Sequence, residues 1–133
     1  MTSLVQIRTV FIQQLDSFVE EISGLYPDEK EIMLFAEKYK LVKGVNNKMI
    51  IEGFIQYVLP LKTQILEKNE DFFLNGGGQE DVNKDDYSMK LRDIIKNVWM
   101  NKMTDVNKEI IWKYFTVFVK LSEKYAIELM KGN

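Results

Sequence analysis

Ile110–Leu121 reads IIWKYFTVFVKL, and only Lys113, Thr116 and Lys120 within it are polar. At about 3.6 residues per turn these three fall with Glu109 and Lys124 on one narrow stripe. The rest of the circumference is Ile, Trp, Tyr, Phe, Val and Leu. A helix apolar over most of its surface must be surrounded by other elements. The segment Asp105 to Met130 is therefore predicted as the central helix of an all-α bundle. Thr104 is placed to cap it, with Asp105 in its first turn. The rest of the chain has to supply the walls.

Working outward, Ser3 to Gly24 places Leu4, Ile7, Phe11, Leu15, Phe18, Ile22 and Leu25 at steps of three and four, with Val10 and Val19 widening the stripe. This spacing predicts a first amphipathic helix, capped by Ser3 and stopped by Gly24 and Pro27. The same heptad-like seam could pair with a second chain, but it is too short to decide that. In YPDEKEI, Pro27 suits a first helical position, and Asp28, Glu29 and Glu31 suit the positive end of the helix. Ile32, Phe35, Ala36, Tyr39 and Val42 form the apolar face of this second helix, and Gly44 closes it. Its acids and lysines balance and read as a solvated face.

Asn46 or Asn47 starts the third helix, in which Ile50, Phe54, Tyr57 or Val58, Leu61 and Ile65 keep helical spacing. Pro60 lies inside that pattern and predicts a kink near Gln56 to Leu59, or two shorter helices. The segment EDFFL reads as a short turn tucking Phe72 and Phe73 under the bundle, although a docking motif for a partner groove would look similar. Residues 75–87 (NGGGQEDVNKDDY) read as a flexible acidic loop. Ser88 to Met103 follows as a fourth helix, with Tyr87, Leu91, Ile94, Ile95, Val98 and Trp99 on its apolar face. It is also the most basic segment, through Lys90, Arg92, Lys96 and Lys102.

The 133 residues fit one domain, and 46% apolar with 29% charged residues is the balance of a globular chain, not a disordered one. A net charge of −2 argues against general polyanion binding. With no cysteine and no histidine, disulfides, thiolate chemistry and the usual general base are missing together. Ser122-Glu123-Lys124 is not an SxxK signature, and Gly76 to Gly78 precede acids that would repel a phosphate. Neighbouring carboxylates, such as Glu20 and Glu21 or Glu70 and Asp71, point apart on a helix. The loop lacks the spacing of a calcium-binding loop. MTSLVQIR does not read as a signal peptide, and no apolar run approaches a membrane span. The expectation is a non-enzymatic chain without metal or cofactor, inside the cell.

The order LYPDEKEI, FIQYVLPLKTQILEKNEDFFLN, an acidic low-complexity gap and NKEIIWKYFTVFVKLSEKY resembles small uncharacterised α-helical proteins of large nucleocytoplasmic DNA viruses. The resemblance covers most of the chain in outline. It implies a host-cytoplasm or virion setting and carries over no catalytic residue.

These readings converge on a single-domain helical bundle of about five helices, the third kinked at Pro60 and the C-terminal one central. A scaffold or interaction protein is the function expected, as a minor virion component or an adaptor, with protein partners or a second copy of the chain. Trp112 and Val119, on the edge of the central helix, are the candidate contacts, with Phe72 and Phe73. The alternative is a nucleic-acid accessory role through Lys90, Arg92, Lys96 and Lys102.

Overall fold

The computed structural model describes residues 3–74 and 96–132. The acidic loop 75–87, and Lys90 and Arg92 of the basic segment, lie outside them. The fold is all-α. Helix α1 (Leu4–Leu25) is followed by α2 (Lys30–Asn46), α3 (Lys48–Tyr57), a 3-10 turn (Leu59–Leu61), α4 (Lys62–Leu66) and α5 (Glu70–Leu74). Residues 96–101 are helical (α6), and α7 spans Asp105–Met130.

Helix α1 starts where the sequence places it. The Ser3 hydroxyl accepts from the Gln6 amide at 3.1 Å and the Gln6 side chain accepts from the Ser3 amide at 2.9 Å, a reciprocal capping box. Its inward face is Ile7, Phe11, Ile12, Leu15, Phe18, Val19 and Ile22. Val10 faces outward instead of widening the seam, because α2 packs on the opposite flank, that of Ile12 and Asp16.

Helix α7 runs antiparallel to α1, as the pairs Tyr26–Asn107, Glu21–Tyr114 and Phe11–Phe118 show. It is central: α1, α3, the 3-10 turn and α4 all pack on it. The Thr104 hydroxyl caps it by accepting from the Asn107 amide at 3.1 Å. Phe118 has no exposed surface and meets Phe11, Phe18, Phe54, Tyr114 and Phe115 at ring-centroid distances of 5.4–6.0 Å.

Pro60 splits the third predicted helix into two. α3 stops at Tyr57, the 3-10 turn carries Pro60 in its first positions, and α4 restarts at Lys62. Across this break the buried residues are Ile51 and Ile65, while Tyr57 points to solvent. Helix α4 ends in a Schellman arrangement, with the Asn69 amide donating to Gln64 O at 2.9 Å and the Lys68 amide to Ile65 O at 3.0 Å. The left-handed position of that motif is held by Lys68 at φ 54°, where glycine is the usual residue.

Two outcomes check this frame. Phe118→Ala removes the ring that three helices share, and a loss of about 3–5 kcal/mol is expected in denaturant unfolding; a loss below about 1 kcal/mol would show that the ring is not enclosed. Lys68→Gly relieves the left-handed strain of about 1 kcal/mol and gives up only a half-exposed ion pair to Glu109. A net gain of about 0.5–1 kcal/mol is expected, and a net loss would mean the ion pair dominates.

Candidate functional site

Most of the predicted contact residues lie at the end of the molecule where α5, α6 and the start of α7 meet. Helix α5 begins at Glu70, and the Asn69 side-chain oxygen caps it by accepting from the Phe72 amide at 3.0 Å. Glu70 Oε1 accepts from Trp99 Nε1 at 2.7 Å and from Lys108 Nζ at 3.2 Å. The Lys108 ammonium also lies 5.5 Å from the centre of the Trp99 ring. The Trp99 hydrogen bond first, and the Lys108 contacts after it, hold the Glu70 carboxyl below its ordinary range. Trp99 packs edge-on against Trp112 at 5.5 Å, Phe73 lies 6.1 Å from Trp112, and Phe72 stacks edge-on against Phe73 at 5.2 Å.

These aromatics are occupied inside the fold. Trp112 is covered by Trp99 and Phe73 and is only half-exposed. Val119 is fully enclosed and cannot form an open edge of α7, which corrects the expectation that it meets a partner. The sequence pattern could not show that α4 packs along α7 or that Phe73 and Trp99 lie against Trp112. Phe72 and Phe73 are tucked as a pair, the first of the two readings their sequence allowed.

Among the basic candidates, Lys96 is half-buried and Lys102 is bound to Glu29, with Nζ at 2.6 and 3.1 Å from the two carboxylate oxygens. The hydrogen bond from Lys102 to Glu29 raises the lysine's pKa. The structure therefore joins Lys102 to an acid, where a phosphate site would leave it open.

No group of acids able to hold a metal ion is found among the described residues. The Ser122 hydroxyl is fully buried and finds no hydrogen-bond partner among the described residues. A shallow groove of about 320 Å³ lies between α1 and α7, lined by Gln14, Glu21, Ile110, Lys113, Tyr114 and Val117. Its Tyr114 hydroxyl is spent on Glu21 at 2.9 Å. No described helix is long and apolar enough to cross a membrane.

Among the described residues, the outer side of α2 carries several exposed large apolar side chains. Helix α2 starts later than the sequence suggests. The Glu29 amide donates to Tyr26 O at 3.2 Å, closing a turn that uses Pro27, and the helix begins at Lys30. It runs past Gly44, which stays helical, to Asn46. Its rotation is fixed by one polar cluster. Tyr39 Oη donates to Asp16 Oδ1 at 2.6 Å, and Lys43 Nζ reaches the same oxygen at 2.9 Å. Burial alone would raise the Asp16 carboxyl, but the Tyr39 and Lys43 hydrogen bonds and the Lys43 charge together hold it below its ordinary value. Burial, followed by the bond to Asp16 and its charge, pushes the Tyr39 hydroxyl far above 10.0.

This cluster turns Ile32, Ala36, Tyr39 and Lys43 toward α1. Phe35 and Val42, expected on the apolar face, are instead 48% and 38% exposed. Leu34, Leu41 and Val45 stand on the far side, at 55%, 70% and 85% exposure. Met49, just beyond the junction, is also largely exposed. On α2 itself, Leu34, Leu41 and Val45 form one row and Phe35 and Val42 a second beside it, while Met49 belongs to α3. Sequence reasoning missed them because it assigned α2 one apolar face. Placing every apolar residue of 30–49 on one helical wheel would have shown a second.

Comparison with protein-family models, with curated proteins and with solved structures finds no significant match to this chain.

The Tyr39–Asp16 bond has a measurable signature. The folded-state pKa of Tyr39 lies above its unfolded value, so its contribution is whole below pH of about 10 and is lost as pH rises beyond that. Stability of the native chain is expected to fall more steeply from about pH 10 to 12 than that of Tyr39→Phe, measured by urea unfolding at each pH. Parallel curves would show that Tyr39 does not titrate with unfolding.

Proposed function

We propose that this chain is a non-enzymatic protein–protein interaction module whose working face is the outer side of α2. The observation that carries the reading is the set of exposed apolar residues along α2: Leu34, Phe35, Leu41, Val42 and Val45. Single exposed apolar residues are ordinary on protein surfaces, but a contiguous patch along one helix marks a contact surface. The groups whose ionisation is displaced support the same reading. Asp16, Tyr39, Glu70, Lys102 and Tyr114 each spend their polar atoms on a neighbour within the fold. A scaffold or adaptor needs no more chemistry than this. The sequence resemblance would place it in a cell infected by a large DNA virus, as a minor particle component or an adaptor.

Hydroxyl-radical footprinting tests the face directly. Oxidation of Leu34, Leu41 and Val45 is compared between the dilute purified chain and the chain in its native source, with Val106 and Val117 as exposed references. The expected result is strong oxidation in dilute solution and several-fold protection in the native setting. Equal oxidation in both overturns the proposal. Protection already present in the dilute chain also overturns it, because the chain would then be covering its own face.

A further inference from the structure

We infer that the outer side of α7 attaches the chain to an anionic lipid surface through Lys113, Lys120 and Lys124. This side is distinct from the outer side of α2, and attachment there is independent of what α2 binds.

The acids of α7 beyond its first turn are each met by a lysine: Glu109 by Lys68, Glu123 by Lys62 at 2.8 Å and Glu128 by Lys131 at 3.0 Å. Lys108 is likewise committed to Glu70. Lys113, Lys120 and Lys124 are exposed and form no ion pair among the described residues. The acids one helical turn from them are Glu109, Glu123 and Glu128, the same three that other lysines have taken. The open lysines recur at steps of seven and four, so they fall on one line about 16 Å long.

The neighbouring helix leaves this row uncompensated. Because α1 runs antiparallel to α7, its first turns lie beside the last turns of α7. Ser3 to Leu15 contains no acid. Glu21 brings a carboxylate to the groove between the two helices only at the Lys113 end, where it accepts from the Tyr114 hydroxyl at 2.9 Å. A chain of net charge −2 therefore presents one aligned row of cations, which an anionic surface attracts while the remaining charge disfavours other orientations.

The make-up of the row selects its occupant. Val117 and Ile127, 37% and 47% exposed, stand among the lysines. Ammonium groups meet headgroup phosphates and carboxylates as point charges, and aliphatic side chains enter the boundary beneath them. The row holds no arginine and no aromatic ring, the side chains that read base edges or stack on bases, so lipid is favoured over nucleic acid. The groove beside it is shallow, which suits a flat surface better than a discrete ligand. Helix α2 packs on the other flank of α1, that of Ile12 and Asp16, and stays uncovered by such attachment. Three lysines with no lipid anchor make a weak attachment that salt reverses.

Co-sedimentation of the full chain with sucrose-loaded phosphatidylcholine vesicles, with and without phosphatidylserine, tests this. Binding is expected to the phosphatidylserine vesicles at low salt, with none to the neutral ones and release at high salt. Lys120→Gln and Lys124→Gln should each lower the partition coefficient about fivefold and keep the thermal midpoint, since neither lysine holds an ion pair. Lys30→Gln and Lys40→Gln remove the same charge from exposed positions of α2 and should leave partitioning nearly unchanged. Absence of binding to phosphatidylserine vesicles overturns the inference. Equal losses from the α2 and α7 changes also overturn it, because net charge and not this face would then be responsible. Retention of a DNA duplex at low salt without vesicle binding overturns it in favour of nucleic acid.

Discussion

The ring of Phe118 is where α1, α3 and α7 meet, and the arrangement of the other elements follows from that contact. Phe11 and Phe18 reach it from α1, Phe54 from α3, and Tyr114 and Phe115 from its own helix. Most of these contacts are edge-to-face or tilted, the geometry that aligns the positive rim of one ring with the negative face of another. Such packing is directional as well as apolar, so it fixes the angles between helices, not only their proximity. Helix α2 has no share in the stack. It is attached to the outside of α1 through Ile32, Ala36 and Tyr39, with one buried hydroxyl setting its rotation.

That division explains why some of the fold was legible in the sequence and some was not. Helices that bury one broad face, α1 and α7, declare themselves by spacing and by caps such as Ser3 and Thr104. Pro60 likewise marks its own break, because a missing amide is a local fact. The phase of α2 is different. Its apolar residues surround much of the helix, and which of them face inward depends on Asp16, which lies twenty-three residues before Tyr39 in the chain. Val119 failed as a contact residue for a related reason. It is fully enclosed, and the periodicity of its own helix does not show which of its apolar faces the other elements reach. The candidate surface was thus hidden in the sequence by its length of separation from the group that orients it.

The same logic separates aromatic residues that hold the fold from apolar residues that are left over. Phe72 and Phe73, read from the sequence as a tucked pair, and Trp99 and Trp112 form one cluster where Glu70 and Lys108 join α5, α6 and α7. Leu34, Leu41 and Val45 look like ordinary helix-formers and become the least satisfied part of the surface. Conspicuous residues were absorbed, and inconspicuous ones were not.

The segment from Leu59 to Leu74 also gives the molecule two kinds of mechanical joint. Besides its apolar packing on α7, it is fastened there by three ion pairs: Lys62 to Glu123, Lys68 to Glu109 and Glu70 to Lys108. Those pairs are partly open to water and are weakened by dissolved salt, whereas the Phe118 stack is dry and indifferent to it. Ionic strength therefore acts as a selective solvent for one seam. As it rises, these three pairs weaken on α7 while the Phe118 stack keeps its grip.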